Sequence, residues 1–138
     1  MPYAIKTDVF DAQAGAIRLA AQKTMYGGKH IAAGDTVYMF VREKEAGLVA
    51  RANVTQAAVV PFAPAAARQT PRVDIAIADI VAATDALTPD VLRPLTNWTD
   101  GQPGTELNFK LYRQSTNKIV GIADDTAAFL DTFFPPRS

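Results

Sequence analysis

The chain has 138 residues, 49% hydrophobic and 20% charged, a length and composition that suit one folded core and exclude a disordered chain. It has no cysteine and one histidine, His30, which excludes a disulfide framework, a thiolate metal site and a thiol nucleophile, so neither metal nor cofactor is expected. Fourteen Lys/Arg balance fourteen Asp/Glu, so no long-range field steers the molecule to a polyanion, and any nucleic-acid partner has to be held by a local pocket.

Residues 3–7 alternate and are rich in β-formers, predicting a first strand that ends near Asp8. Asp11 is placed to cap a helix over residues 12–25, with Ile17, Ala21 and Thr24 on one face and Gly27-Gly28 as its stop. Gly34-Asp35 is a turn signal before residues 36–41, a β-branched and aromatic run that predicts a central strand. After the charged connection 42–47, strand character returns at Leu48, so residues 36–60 read as a hairpin.

The Ala/Pro-rich stretch 61–71 cannot hold a sheet position and predicts a surface loop. Val73, Ile75 and Ile77 alternate with Asp74 and Ala76 as a further strand. Thr88-Pro89-Asp90 predicts a helix start, with the hydroxyl as cap and the helix reaching about Leu95. Residues 97–105, which hold Trp98, two glycines and a proline, read as a loop. Residues 107–112 and 119–122 are the last strand candidates, and Asp124-Asp125 cap a helix over 126–134 that Pro135-Pro136 ends.

The resulting order, β–α–β–β–loop–β–α–β–α with five or six strands, lacks regular βαβ alternation. It excludes a doubly wound sheet and points to an α+β domain, a small bent β-barrel flanked by helices. The N-terminal stretch shows no leader-like pattern and no apolar run reaches about 20 residues, so no membrane partner is expected and a cytoplasmic, bacterial protein is.

Chemistry-bearing motifs are sparse. Gly27-Gly28-Lys29-His30 lacks the first glycine and the following Ser/Thr of a phosphate-binding loop. Ser115 and Ser138 are the only serines and neither sits in a nucleophile elbow, so His30 reads as a loop residue. Trp98, alone in its loop, has two readings: an anchor of that loop or a stacking platform for a ligand. The polar run Arg113, Gln114, Ser115, Thr116, Asn117, Lys118 is either a solvated turn or a set of donors for base edges and phosphates. Lys6 and Thr7 at one strand end, with Phe40 and Arg42 at another, are placed to converge on the same rim. Tyr26 is a second candidate stacking partner.

These segments together resemble the EVE branch of the PUA-like superfamily, to which YTH and ASCH domains also belong. Tyr3-Ala-Ile-Lys-Thr7 is similar to that family's opening aromatic strand ending in Lys-Ser/Thr, and Ile31-Ala-Ala-Gly-Asp-Thr-Val-Tyr-Met-Phe40 to its Gly-Asp turn and strand. Ala46 to Val54, Arg72 to Ile75, and Phe109 to Thr116 through Ile119 resemble the return strand, a following strand and the closing segment. Two departures stand out. Ala50 and Arg51 occupy the return strand where glycine and an apolar residue are common, and Met25-Tyr26 stands where a tryptophan is expected.

The resemblance implies a partly open barrel whose pocket receives a flipped-out, modified base of DNA or RNA. The first functional expectation is accordingly a non-catalytic nucleic-acid reader using Lys6, Thr7, Tyr26, Phe40, Arg42, Trp98, Arg113, Gln114 and Thr116. The second is an ASCH-type amidohydrolase acting on an acylated nucleoside, with Lys6 and Glu43 or Glu45 as acid/base pair. The third is a regulatory or protein-binding module working through the Ala/Pro loop. The oligomeric state is left open.

Overall fold

A computed structural model describes residues 2–8, 10–42, 47–61, 71–113 and 118–136. Six strands close into a barrel: β1 (Tyr3–Thr7), β2 (Ala16–Met25), β3 (Thr36–Val41), β4 (Leu48–Val60), β5 (Arg72–Ala82) and β6 (Lys118–Gly121). Their order around the barrel is β1-β3-β4-β5-β2-β6, so the expected barrel is present, but it is closed where a partly open one was expected. β1 runs parallel to β3 and β2 parallel to β6, while the other neighbours are antiparallel.

Alternation along the strands builds two cores. Tyr3, Ile5, Val37, Met39, Ile75, Ile77 and Ile119 fill the barrel. Ala4, Tyr38, Phe40, Val120 and Ile122 point outward and are covered by Leu92, Leu107, Leu111 and Leu130 from the helical segments. β1, β3 and β6 are therefore buried on both faces, which is why 36–41 reads as a continuous apolar run instead of a polar/apolar alternation.

The helical cover consists of α1 (Pro89–Leu92), α2 (Pro103–Leu107), a π-helical turn over Asn108–Arg113 that continues α2, and α3 (Asp124–Asp131). α3 is latched to the barrel by Asp131, whose Oδ1 accepts from Tyr38 Oη at 2.7 Å and from Arg51 Nη1 at 2.9 Å. Arg51 lies 4.8 Å from the Phe134 ring centre. Arg51 thus helps hold the last helix in place.

Two expected elements change type. Residues 12–25 are not a helix: Asp11 accepts from Gln13 N–H at 2.9 Å in a short turn, and the chain then becomes β2. Alanine, glutamine and lysine favour helix intrinsically, but the edges of β5 and β6 offer this segment pairing on both sides, and Ile17 and Leu19 turn toward the barrel interior. A bulge between Leu19 and Gln22, with Ala21 at φ 51°, bends β2 so that the barrel closes. Residues 107–112 are helical instead of extended, because closure leaves no edge for a seventh strand. Leu107 and Leu111, four apart, bury on one helical face.

Smaller boundaries also shift. α1 stops at Leu92 and Thr88 makes no side-chain cap, and Pro103 already opens α2 inside the expected loop. Asp124 and Asp125 occupy the first turn of α3 behind Ala123 at the N-cap, so their carboxylates favour the helix through its dipole without capping it. Pro61 and Pro71 lie outside the strands, while residues 62–70 fall outside the described part of the chain.

Candidate nucleic-acid interface

The helical cover carries an aromatic surface. The Trp98 and Phe109 ring centres are 5.1 Å apart, and Tyr26 lies 6.3 Å from Phe109. Trp98 is 44% exposed and Tyr26 38%, so both rings are partly accessible from solvent. Cations border them: Arg113 Cζ is 5.7 Å from the Trp98 ring centre, and Lys110 Nζ is 4.9 Å from that of Tyr26. Tyr26 has φ 52°, unfavourable for a bulky side chain, and Gly27 follows at φ 83°. This sharp reversal lets Gly28 press on β6, where an added Cβ would come within 2.0 Å of the Ile119 carbonyl oxygen. It also presents the Tyr26 ring beside the π turn.

One half-buried carboxylate organises this region. Glu106 Oε2 accepts from Lys110 Nζ at 2.8 Å, while Oε1 accepts from Ala123 N–H at 3.2 Å and from the Thr126 hydroxyl. Burial pushes the Glu106 carboxyl up, but the hydrogen bonds from Lys110, Thr126 and Ala123, with the Lys110 charge, outweigh it and hold the group below its ordinary value. Lys110 also donates to the Gly121 carbonyl at 2.8 Å, so α2, the π turn, the end of β6 and the start of α3 meet at one ion pair.

Two clefts flank the π turn. One, of about 340 Å³, has Trp98 and Phe109 as aromatic walls, with Gln102, Glu106, Lys110 and Asp125 among its polar groups. The other, of about 270 Å³, is lined by Pro89, Arg93, Asn108, Tyr112 and Arg113. Beneath the second lies Lys6, 6% exposed, with its Nζ 4.4 Å from the centre of the Tyr112 ring. Burial lowers the Lys6 amine, the neighbouring Arg42 charge lowers it further, and Asp8 opposes both. Burial also raises the Tyr112 phenol, whose oxygen is 3.5 Å from the Val41 carbonyl.

The residues expected to form the site are sorted by these positions. Lys6, Thr7 and Arg42 do share a rim, since β1 and β3 are parallel and Arg42 N–H donates to the Thr7 carbonyl at 3.2 Å. Arg42 also pairs with Asp8 at 3.4 Å. Phe40 does not reach that rim: it points into the outer core with no exposed surface and is replaced there by Tyr112. Tyr26 sits beyond the other end of β6, with its carbonyl accepting from Gly121 N–H at 3.1 Å, and meets Trp98 only through Phe109. Gln114 and Thr116, and also Glu43 and Glu45, lie outside the described residues. His30 is exposed in a 3-10 turn.

Phe109, Lys110 and Tyr112, with Glu106 just before them, escape a reading that treats 107–112 as a strand. The helical spacing of Glu106 and Lys110, and of Phe109 and Arg113, was the signal for them.

No protein-family model matches the chain, and no curated protein matches its sequence. Solved structures do. The human THYN1 protein, in a structure described as a complex with 5-methylcytosine containing DNA, is 11% identical with a TM-score of 0.66, covering 99% of both chains. PSPTO5229 from Pseudomonas syringae is 15% identical with a TM-score of 0.62, covering 97% of this chain and 100% of its own. A hypothetical protein from Leishmania major is 16% identical at 0.61, over 94% and 90% of the two chains. At these identities the likeness is one of fold.

Proposed function

Starting from a chain with the PUA-like barrel fold of the EVE type, we propose that it binds nucleic acid and reads a modified base turned out of its strand. The observation that carries this reading is the exposed Trp98–Phe109–Tyr26 surface bordered by Arg113 and Lys110. A base removed from its stack loses a few kcal/mol, and an aromatic face returns about 1–3 kcal/mol of it. Guanidinium groups on the adjoining cleft suit the phosphates on either side of the extruded nucleotide. The structural neighbour described with 5-methylcytosine DNA gives the same class of ligand a precedent on this fold.

The test is a fluorescence-anisotropy titration against single-stranded and duplex oligonucleotides carrying one modified base, at two salt concentrations. Tighter binding to a modified strand than to its unmodified counterpart is the expected outcome. Equal affinity for every strand, or none, rejects base reading.

A second reading, hydrolysis of an acylated nucleoside, draws support from Lys6, a buried amine held below its ordinary value beside Thr7. Incubation with N-acylated nucleosides tests it through release of the carboxylic acid, and no release above a Lys6→Met control rejects it.

A further inference from the structure

The barrel closes, yet β4 outruns it. β3 pairs with β4 as far as Asn53, and Val54 N–H then donates to the Asp35 carbonyl while the Val54 carbonyl accepts from Gly34 N–H, both at 2.8 Å. Past that point β4 pairs with β5 alone among the described residues, from Gln56↔Ala76 to Val60↔Arg72. One backbone edge of residues 56–60 is therefore open, beside the barrel and not in it. β2 has an open stretch as well, because β6 reaches only Lys23, Thr24 and Met25, but that edge is guarded. It carries Arg18 and a bulge between Leu19 and Gln22, the Ala21 N–H donates to the Asp74 carboxylate at 2.5 Å, and Gln22 Nε2 donates to the Ala20 carbonyl at 2.8 Å. Charges and bulges are what keep an edge from pairing with another chain. From Gln56 to Val60 the β4 edge has neither, and Val59 on it is 74% exposed.

The occupant this edge fits is the same edge of a second copy. Two identical strands pair antiparallel around a two-fold axis perpendicular to the sheet, and alternation along each strand then sets like face against like face. Ala57 packs against the barrel core, so Ala57 and Val59 share the inner face, while Gln56, Ala58 and Val60 share the outer one. With the axis at Ala58, Val59 of one copy meets Ala57 of the other, large against small, and Gln56 meets Val60. A centre at Ala57 would set Val60 against Val54, which β3 already holds. The Ala58 centre also brings Val59 of the second copy beside a cleft of about 450 Å³ whose lining includes Ile31, Ala32, Ala33 and Ala57. No like charges meet along the seam, and a charged ligand finds no counter-charge on it.

We infer that residues 56–60 of β4 are a self-association edge, which joins two copies of this chain into a symmetric dimer with one sheet running across the seam. The inference is independent of base reading. The seam is short against the roughly 1,600 Å² of a standard protein interface, so the dimer is weak and forms as concentration rises.

The experiment is sedimentation velocity of the full chain between about 1 μM and 1 mM, the range of a weak complex. Wild type moves from monomer toward dimer across that range and goes no further. Ala58→Lys sets two like charges face to face at the axis and weakens association about tenfold or more. Ala58 is exposed on the outer face, so the melt of the dilute variant stays that of wild type. Because the chain has no cysteine, two single-cysteine variants read the register directly. Across the axis the Ala58 Cα atoms stand about 4.5–5.5 Å apart, within disulfide reach, while the two Ala57 residues lie on a diagonal of roughly 7–8 Å, beyond it. Under mild oxidation Ala58→Cys crosslinks into a dimer and Ala57→Cys does not. A wild type that stays monomeric throughout, growth past the dimer into larger species, or dimers that Ala58→Lys leaves intact overturns the inference. Equal crosslinking of the two cysteine variants overturns the two-fold seam at Ala58.

Discussion

The two clefts beside the π turn share a wall and differ in chemistry. The Trp98 cleft has Asp100, Glu106 and Asp125 on its walls, with Lys110 as the one cation, already paired. The Tyr112 cleft has Arg93, itself paired with Asp90 at 2.8 Å, and Arg113, and no lining carboxylate among the described residues, with a buried amine below it. A single helical turn sorts them, because Glu106 and Lys110 sit on one flank and Asn108 and Tyr112 on the other. Phe109 and Arg113, four residues apart, form the crest between. Under the proposed reading, phosphate is better accommodated on the Arg113 side than beside the carboxylates, while a neutral base is not excluded from the acidic side. Zero net charge over the whole chain is thus compatible with two strongly unlike local fields, and polarity read from totals misses both.

The largest effect expected from breaking this contrast comes from Trp98→Ala. Removing one stacking wall costs about 1–3 kcal/mol, so affinity for a modified oligonucleotide falls roughly tenfold or more. Because the ring is 44% exposed, the melt shifts little. An anisotropy titration beside a thermal melt separates the alternatives: unchanged binding with an early melt makes Trp98 an anchor for Phe109 and nothing more.

Glu106→Gln tests how the acidic flank is held together. An amide NH2 in place of one carboxylate oxygen meets Lys110, or the Ala123 N–H, donor against donor. The cost is about 1–3 kcal/mol, and a melt lowered by several degrees at pH 7 is expected. Since the folded-state pKa of Glu106 is lowered, its contribution is full above the unfolded value and is lost as pH falls through the folded one. The melts of wild type and variant should therefore converge under acid. A constant gap from neutral to strongly acidic pH shows that the ionised form of Glu106 is not what stabilises this junction.

The same contrast explains what the sequence disclosed and what it hid. Strands buried on both faces announce themselves: Thr36–Val41 can only be a central strand, and Val37 and Met39 face the barrel as Tyr38 and Phe40 face the helices. β2 and the π turn are decided by closure. Ala16–Met25 is a strand because two edges wait for it, and 107–112 is a helix because none does. Local propensity carries no trace of a long-range pairing, so the two misread elements are those whose type depends on the whole barrel. Trp98 and Arg113 were legible as exposed, chemically suited side chains, but Phe109 was not, since its role rests on helical spacing. Phe40 was misplaced at the rim because strand position does not reveal which face a helix will later cover.

Arg113→Ala addresses the basic flank and the crest at once. Arg113 is exposed and has no carboxylate partner among the described residues, so its loss leaves stability within about 0.5 kcal/mol. Affinity should drop a few-fold for all strands alike. The slope of log affinity against log salt should shrink by about one, or somewhat less on single strands, as for one phosphate contact. A drop confined to modified strands, with the salt slope intact, moves Arg113 from the phosphate flank to the base cleft.

The smallest effect, and the one that isolates the buried amine, is expected from Lys6→Met. Lys6 Nζ meets the face of Tyr112 and, among the described residues, is countered by no carboxylate nearer than the Coulombic reach of Asp8, so the folded protein holds the charged amine at a cost. Its folded-state pKa is therefore lowered, first by burial and then by Arg42. Between that lowered value and the unfolded value of 10.5 the unfolded chain binds the extra proton, and stability from this group rises with pH. Methionine keeps the aliphatic stem against the ring and removes the titration. Tyr3 and Tyr112, whose pKa values are raised, act in the opposite direction above their unfolded value of 10.0. They are common to both proteins, so they cancel in the difference between the two melts. That difference should move in favour of wild type as pH climbs from about 8 to 10, and urea unfolding at fixed temperature should show the same trend. A difference that stays flat across this range means the amine is solvated, and the basic flank then ends at Arg93 and Arg113.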